Sequence, residues 1–228
     1  MMSDRCSGGN CSSGSCSGGS CQSDDDRLPP GMLSRYDLNQ DTGLGSLIWA
    51  ETVDSKIDDA VIKLIGKLRS ISNDRIFAMI TGPADIKPLY NVLFSYGVDT
   101  IYHIRSKDLE DYDPKLYADA LSDIATRINP MCIILSATEK GNEVAKLTGS
   151  ILKKDVELDC SDISIVNDIL SVEGSNSGNI PMFKRYGRFP IIATVKASSF
   201  DMPERNDDRK GTVISRPFTA SIIQIGRA

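Results

Sequence analysis

Two places in this sequence hold residues whose types and spacing could do chemistry. Cys6, Cys11, Cys16 and Cys21 recur at every fifth position, C-x4-C-x4-C-x4-C, in a segment otherwise built of Ser, Gly and Asn. Four thiolates can hold a zinc ion or an iron–sulfur cluster. The usual sites start from C-x2-C pairs, whose tight turn presets two ligands, and this tail has none, so convergence would carry an ordering cost. The alternative is a flexible, redox-sensitive tail with no fixed ligand. The second place is the run Ser136–Asn142, where Ser136, Thr138, Gly141 and Asn142 are the candidate cofactor contacts. Small residues ahead of a helix can cradle a phosphate through backbone N–H groups and the helix dipole. Neither GxGxxG nor GxxxxGK[ST] occurs, and Glu143 offsets the charge of Lys140, so an ordinary strand-to-helix turn is the competing reading.

Other candidates are weaker. The single histidine, His103, lies inside an apolar strand-like run and reads as a structural or exposed side chain rather than a catalytic one. Cys132 sits in a buried-type strand as a small hydrophobe. Cys160 follows Asp159 near an expected strand start, and a neighbouring carboxylate raises a thiol pKa. No GxSxG elbow is present. A net charge of −5 gives no sign of a nucleic-acid or anionic-membrane surface. No apolar run approaches the length of a spanning helix, and the start of the chain has neither a signal-type apolar region nor an Arg-rich presequence. The chain therefore reads as cytoplasmic, where the cysteines would be thiols or metal ligands rather than disulfides.

The elements that must position these residues begin at Ser46. Residues 1–45 read as a disordered Cys/Gly/Ser-rich tail and linker, lacking the side chains to build a core. Leu47–Glu51 is a first strand, and Ile57, Val61, Leu64, Ile65, Leu68 and Ile71 make one apolar helical stripe, with Asp54 or Ser55 as capping candidates. Strands follow at Arg75–Ile80, Thr100–Arg105 and Met131–Leu135. Helices carrying Ile86–Phe94, Leu116–Ile128 and Val144–Ile151 follow those strands, with Gly97 suited to a helix end and Pro114 to a first turn. Four strand–helix repeats with continuous apolar strands predict an α/β fold: a doubly wound parallel sheet. After Cys160 the runs shorten and turn residues cluster at Asn167-Asp168 and 174–179. This predicts antiparallel strands added to the main sheet, including Ile180–Tyr186 and Pro190–Val195. Residues 201–228 read as a polar linker and a short carboxy-terminal β extension.

From Ser46 to about Phe200 the chain resembles the amino-terminal domain of the electron transfer flavoprotein alpha subunit. The likeness rests on an ordered set: Ile48-Trp49-Ala50-Glu51, Tyr96–Tyr102, Asp111-Tyr112-Asp113 before Leu116-Tyr117-Ala118, and Ile134–Thr138 with Gly141. Asp159-Cys160, Ser177-Gly178-Asn179 and Ala193-Thr194-Val195 leading to Phe200 complete it. The set departs from the family at Lys196-Ala197, where an Arg-Pro pair is usual. The resemblance implies an adenine-nucleotide-hydrolase-like domain at 46–200. It also implies a beta-type subunit as partner and a complex that carries electrons on FAD. In that family FAD lies in a second, carboxy-terminal domain with Ser-Gly and Gln-His signatures, and the amino-terminal domain typically binds no nucleotide. No such signature is carried over to residues here. The expectation is a non-catalytic electron-transfer subunit, with FAD not held by this chain alone but by a separate FAD-domain chain, or with the cysteine tail as redox element. A stand-alone adenine-nucleotide-binding stress-type regulator and a metal or iron–sulfur carrier are the alternatives.

Overall fold

A computed structural model describes residues 45–82, 86–109, 111–166, 169–174, 178–183 and 190–218. The chain runs β1 (Ser46–Trp49), β2 (Thr52–Val53), β3 (Lys56–Ile57), α1 (Asp59–Ile71), β4 (Ile76–Thr81), α2 (Lys87–Tyr96), β5 (Thr100–Arg105), α3 (Pro114–Ile128), β6 (Cys132–Ser136) and α4 (Glu139–Leu152). It continues with β7 (Val156–Cys160), β8 (Asp162–Val166), β9 (Ile169–Gly174), β10 (Gly178–Phe183), β11 (Ile191–Val195) and β12 (Thr212–Pro217). Seven strands form one sheet in the order β12-β5-β4-β1-β6-β11-β7, and every pairing in it is parallel.

Strand alternation divides the core in two. Ile48, Ala78, Ile101 and Ile134 point to the face covered by α1 and α2, where Val61, Leu64 and Leu93 meet them. Leu47, Phe77, Tyr102 and Ile133 point to the face covered by α3 and α4, against Leu121, Ile124 and Val144. Both faces of β1, β4, β5 and β6 are thus buried, which is why these strands read as continuous apolar runs. The chain winds outward from β1 to β4 and β5, then returns to place β6 on the other side of β1. This reversal opens a crevice at the carboxyl ends of β1 and β6, the usual position for a ligand in such sheets.

Local signals explain most boundaries. Asp113 caps α3 through its side chain to the Lys115 N–H (2.9 Å), with Pro114 at the first helical position. Gly97, at φ 123°, ends α2. One capping expectation fails: Asp54 and Ser55 do not cap α1 but form the turn of a β2–β3 hairpin, both at positive φ. Asp58 caps α1 instead, accepting from the Ala60 N–H at 2.7 Å.

The strands after Cys160 sort differently from the expectation. β8, β9 and β10 pair antiparallel as a separate three-stranded sheet, and Ile163, Leu170 and Val172 bury against the α1 side of the core. β11 is not an antiparallel addition. It inserts parallel between β6 and β7, and all five of its residues are buried. A largely apolar IIATV segment, with Thr194 as its one polar residue, suits a strand covered on both faces, and the excursion through β8–β10 supplies the crossover a parallel strand needs. β7 is the preceding V-E-L-D-C segment, so Cys160 closes a strand rather than opening one. β12 pairs parallel with β5 on the opposite edge of the main sheet. The cysteine tail lies outside the described residues.

Candidate functional site

The crevice is built from the ends of β1 and β6 and the start of α4. Beyond β1 the chain carries Glu51, only 7% exposed. Beyond β6, Ala137 donates its N–H to the Val195 carbonyl (3.0 Å) and Thr138 its N–H to the Ser136 carbonyl (2.8 Å), which turns the chain into α4. Thr138 is the N-cap, and its Oγ1 accepts from the Gly141 N–H at 2.9 Å. The same hydroxyl donates to Glu51 Oε2 at 3.0 Å. A buried carboxylate of the protein itself is thus tied to the amino end of α4. Burial raises the Glu51 pKa most; the Thr138 hydrogen bond lowers it, the Asp58 carboxylate raises it and Lys140 lowers it.

Gly141 has a packing reason. A Cβ there would overlap the Ser136 carbonyl oxygen, so the glycine lets α4 start close against the end of β6. Ser136 Oγ is buried and meets no hydrogen-bond partner among the described residues. Asn142 turns to the neighbouring strands: its Nδ2 donates to Asp159 Oδ1 at 3.1 Å, and its Oδ1 accepts from Thr194 Oγ1 at 2.6 Å. Thr194 Oγ1 in turn accepts from the Asp159 N–H at 2.8 Å, holding Asp159 at φ 55° where the β7–β11 register shifts. The structure therefore brings Ser136, Thr138 and Gly141 together at the start of α4 and commits Asn142 to a cross-link of α4, β7 and β11.

A phosphate at this position would need the Gly141 N–H and the Thr138 hydroxyl. Both are engaged, the second to a carboxylate that would repel the newcomer. Glu51 is the residue that sequence reasoning missed; the available signal was a carboxylate placed directly after a buried central strand.

Aromatic side chains border the crevice. Trp49 meets Tyr117 edge-on at 5.5 Å between centroids, and Tyr117 meets Tyr112 at 5.5 Å. The Lys140 ammonium lies 5.0 Å over the Tyr112 ring. Tyr112 donates to Glu143 Oε2 at 3.3 Å, and desolvation together with the Glu143 charge pushes its phenol pKa far up. His103 is buried with both ring nitrogens engaged, Nε2 at 3.0 Å from the Gly82 carbonyl and Nδ1 at 2.6 Å from the Tyr90 hydroxyl. Burial pushes its pKa down, which marks a neutral structural histidine. Burial also pushes the thiols of Cys132 and Cys160 up to about 12 and about 11, leaving both unreactive at neutral pH. Among the described residues no group of three or more His, Cys, Asp or Glu side chains is placed to hold a metal. The candidate ligands Cys6, Cys11, Cys16 and Cys21 fall outside those residues.

A family model described as the electron transfer flavoprotein domain matches residues 46–221, which takes in all seven strands of the main sheet. The chain belongs to this family. Electron transfer flavoprotein subunit alpha of Megasphaera elsdenii is 26% identical over 185 residues, covering 78% of this chain and 54% of the relative. The protein of the same name from Thermoanaerobacterium thermosaccharolyticum is 27% identical over 181 residues, covering 77% and 54%. Protein FixB of Azorhizobium caulinodans is 27% identical over 166 residues, covering 68% and 42%. The chain spans about half the length of the curated relatives it matches. Among the described residues no helix is long and apolar enough to cross a membrane.

Proposed function

We propose that this chain is an alpha-type subunit of an electron transfer flavoprotein-like complex. It supports flavin-mediated electron transfer by pairing with a beta-type subunit, and FAD is held by other parts of that complex. The observation that carries this reading is the family match over 46–221, with relatives named as alpha subunits. The tie between Glu51 and Thr138 supports the non-nucleotide-binding part of it. In this reading the chain contributes a rigid surface: the Asn142–Thr194–Asp159 bonds fix the bulge in β7, and the aromatic group from Trp49 to Tyr112 stiffens the crevice rim.

The test is co-expression of the full chain with a beta-type subunit, followed by anaerobic purification and an absorption spectrum. Co-elution of the two with a flavin band is the expected result. A chain that stays apart from the beta-type subunit overturns the proposal. Calorimetry of the full chain with AMP and ATP is expected to give no binding heat, and measurable affinity would favour the nucleotide-binding regulator. The same spectrum reads thiolate-to-metal charge transfer from the cysteine tail.

A further inference from the structure

Residues 200–211 take an unusual route. β11 lies on one side of β1 in the sheet and β12 on the far opposite edge, so the connection must cross the whole α1–α2 face. It does so as extended chain without helix or strand, and nearly every residue from Asp201 to Gly211 is exposed. Phe200 anchors its start, packed on the core with the Lys67 ammonium 5.3 Å from its ring centroid, and Gly211 its end, seated against the Phe94 ring; between them the contacts are sparse. Pro203 lies on α1 at Gly66, where an added Cβ would come within 2.7 Å of the proline ring. The Asn206 N–H donates to the Ser95 carbonyl at 2.9 Å at the end of α2. Arg209 reaches Asp99 at 3.9 Å, and the Thr212 N–H donates to the Asp99 carbonyl at 2.9 Å. Asp99 itself is anchored on the body of the domain, where it pairs with Arg69 and accepts the Ile76 N–H at 2.8 Å.

The strand that this crossing delivers is equally lightly held. Among the described residues β12 has one strand neighbour, β5, and alternates half-buried with exposed residues, whereas β5 is buried from Thr100 to Ile104. Ile214 of β12 and Phe218 just beyond it pack on the hydrophobic core, and both are only partly buried. Taking β12 away leaves six contiguous parallel strands and both core clusters essentially whole. Elements with few buried apolar contacts and solvent-exposed hydrogen bonds open below the free energy of global unfolding.

We propose that residues 201–217 form a detachable strap: the crossing lifts from α1 and α2, and β12 leaves β5, as one unit while the rest of the domain stays folded. Asp99 is its latch on the body, and Gly66 is the seat that lets Pro203 lie flat. Opening bares the main-chain edge of β5 from Thr100 to Arg105, the kind of edge onto which another extended segment can pair. This does not depend on the proposed function, because it rests on packing alone.

Native-state hydrogen exchange on the full chain tests it, with Asn206, Thr212, Ile214 and Arg216, whose amides face α2 or β5, compared with Ile133–Leu135 of β6. The strap amides are expected to exchange together, more than about tenfold faster than the β6 amides and with weak denaturant dependence. Gly66→Ala is the selective variant: it puts a methyl group under Pro203, whose ring supplies its three nearest contacts. It is expected to speed the strap amides by a further factor of about ten, with β6 shifted less because the alanine raises the helix propensity of α1. Arg209→Ala gives a smaller shift in the same direction, up to about twofold, from an exposed position should Gly66→Ala fold poorly. Strap amides that exchange only at the β6 rate, or that respond to neither variant, overturn the proposal.

Discussion

The crevice at the carboxyl ends of β1 and β6 and the β5 edge are closed by different physics. At the crevice the closing groups are buried and half-buried side chains that satisfy one another: Glu51 with Thr138, and Asn142 with Asp159 and Thr194. At the β5 edge the closing groups are mostly main chain on an exposed path, with one long ion pair. A buried polar network stands or falls with its members, because each lost partner leaves another group unsatisfied in a low-dielectric surrounding. An exposed strap loses contacts to water that replaces them. Damage at the crevice should therefore register as loss of global stability, and damage at the strap as local opening.

Two helical glycines give the largest contrast. Gly141→Ala would improve intrinsic helix propensity by about 1 kcal/mol, yet its methyl group must overlap the Ser136 carbonyl, a backbone atom that cannot swing aside. A net destabilisation of about 1–3 kcal/mol is expected, read as a lowered urea midpoint at unchanged slope. Gly66→Ala makes the same change in α1, but the obstacle is an exposed strap, so global stability should move by no more than about 1 kcal/mol in either direction. Equal losses at the two sites would collapse the distinction.

Asn142→Ala comes next. It removes the amide that joins Asp159 to Thr194 and leaves a buried hydroxyl with a poorer set of partners. The expected loss is about 1–3 kcal/mol. Asn142→Asp is also expected to be destabilising, since it places a second carboxylate against Asp159. Thermal melts of both variants check this.

These groups also mark where sequence reasoning reached and where it stopped. The doubly wound sheet was legible because apolar runs of strand length alternate with 3.6-period stripes, and Asp113-Pro114 or Gly97 speak for themselves locally. Asp54-Ser55 misled because Asp and Ser serve helix caps and tight turns equally, and only the β2–β3 pairing decides between them. The position of β11 inside the main sheet, and the route of 200–211 to its far edge, follow from non-local pairing that no local pattern encodes. At the crevice, the run from Ser136 to Asn142 was recognisable as a strand-to-helix turn. Glu51 stands 87 residues from the hydroxyl it contacts, and that separation kept the pairing hidden.

Glu51→Gln sharpens the crevice further through its pH dependence. Burial, the leading cause, raises the folded-state pKa of Glu51 above the ordinary carboxylate value. The folded state then binds the proton more tightly than the unfolded state. Glu51 favours folding below the unfolded pKa, and this advantage is lost as pH rises through the folded pKa. The amide introduced by Glu51→Gln would keep an acceptor for the Thr138 hydroxyl and carry no charge. The stability of Glu51→Gln relative to the parent should therefore rise as pH increases from acid to neutral. Denaturation at matched pH values decides it, and a relative stability that falls with pH would mean that Lys140 and the α4 amino end outweigh burial.

The smallest effect is expected at the strap's ion pair. Arg209 and Asp99 stand 3.9 Å apart with side chains 40% and 36% exposed, so solvent screens their attraction. Arg209→Ala should change global stability by less than about 0.5 kcal/mol, and that difference should vanish in high salt. Asp99 behaves otherwise, because it also pairs with Arg69 and accepts the Ile76 N–H at the start of β4. Asp99→Ala would withdraw a partner from Arg69 and from a strand amide, so its loss should exceed that of Arg209→Ala and persist in salt. A double-mutant cycle on the two residues separates the parts: a coupling near zero assigns the cost of Asp99→Ala to the body of the domain. A large coupling would mean that the strap is bound into the global fold and that the two closures do not differ in kind.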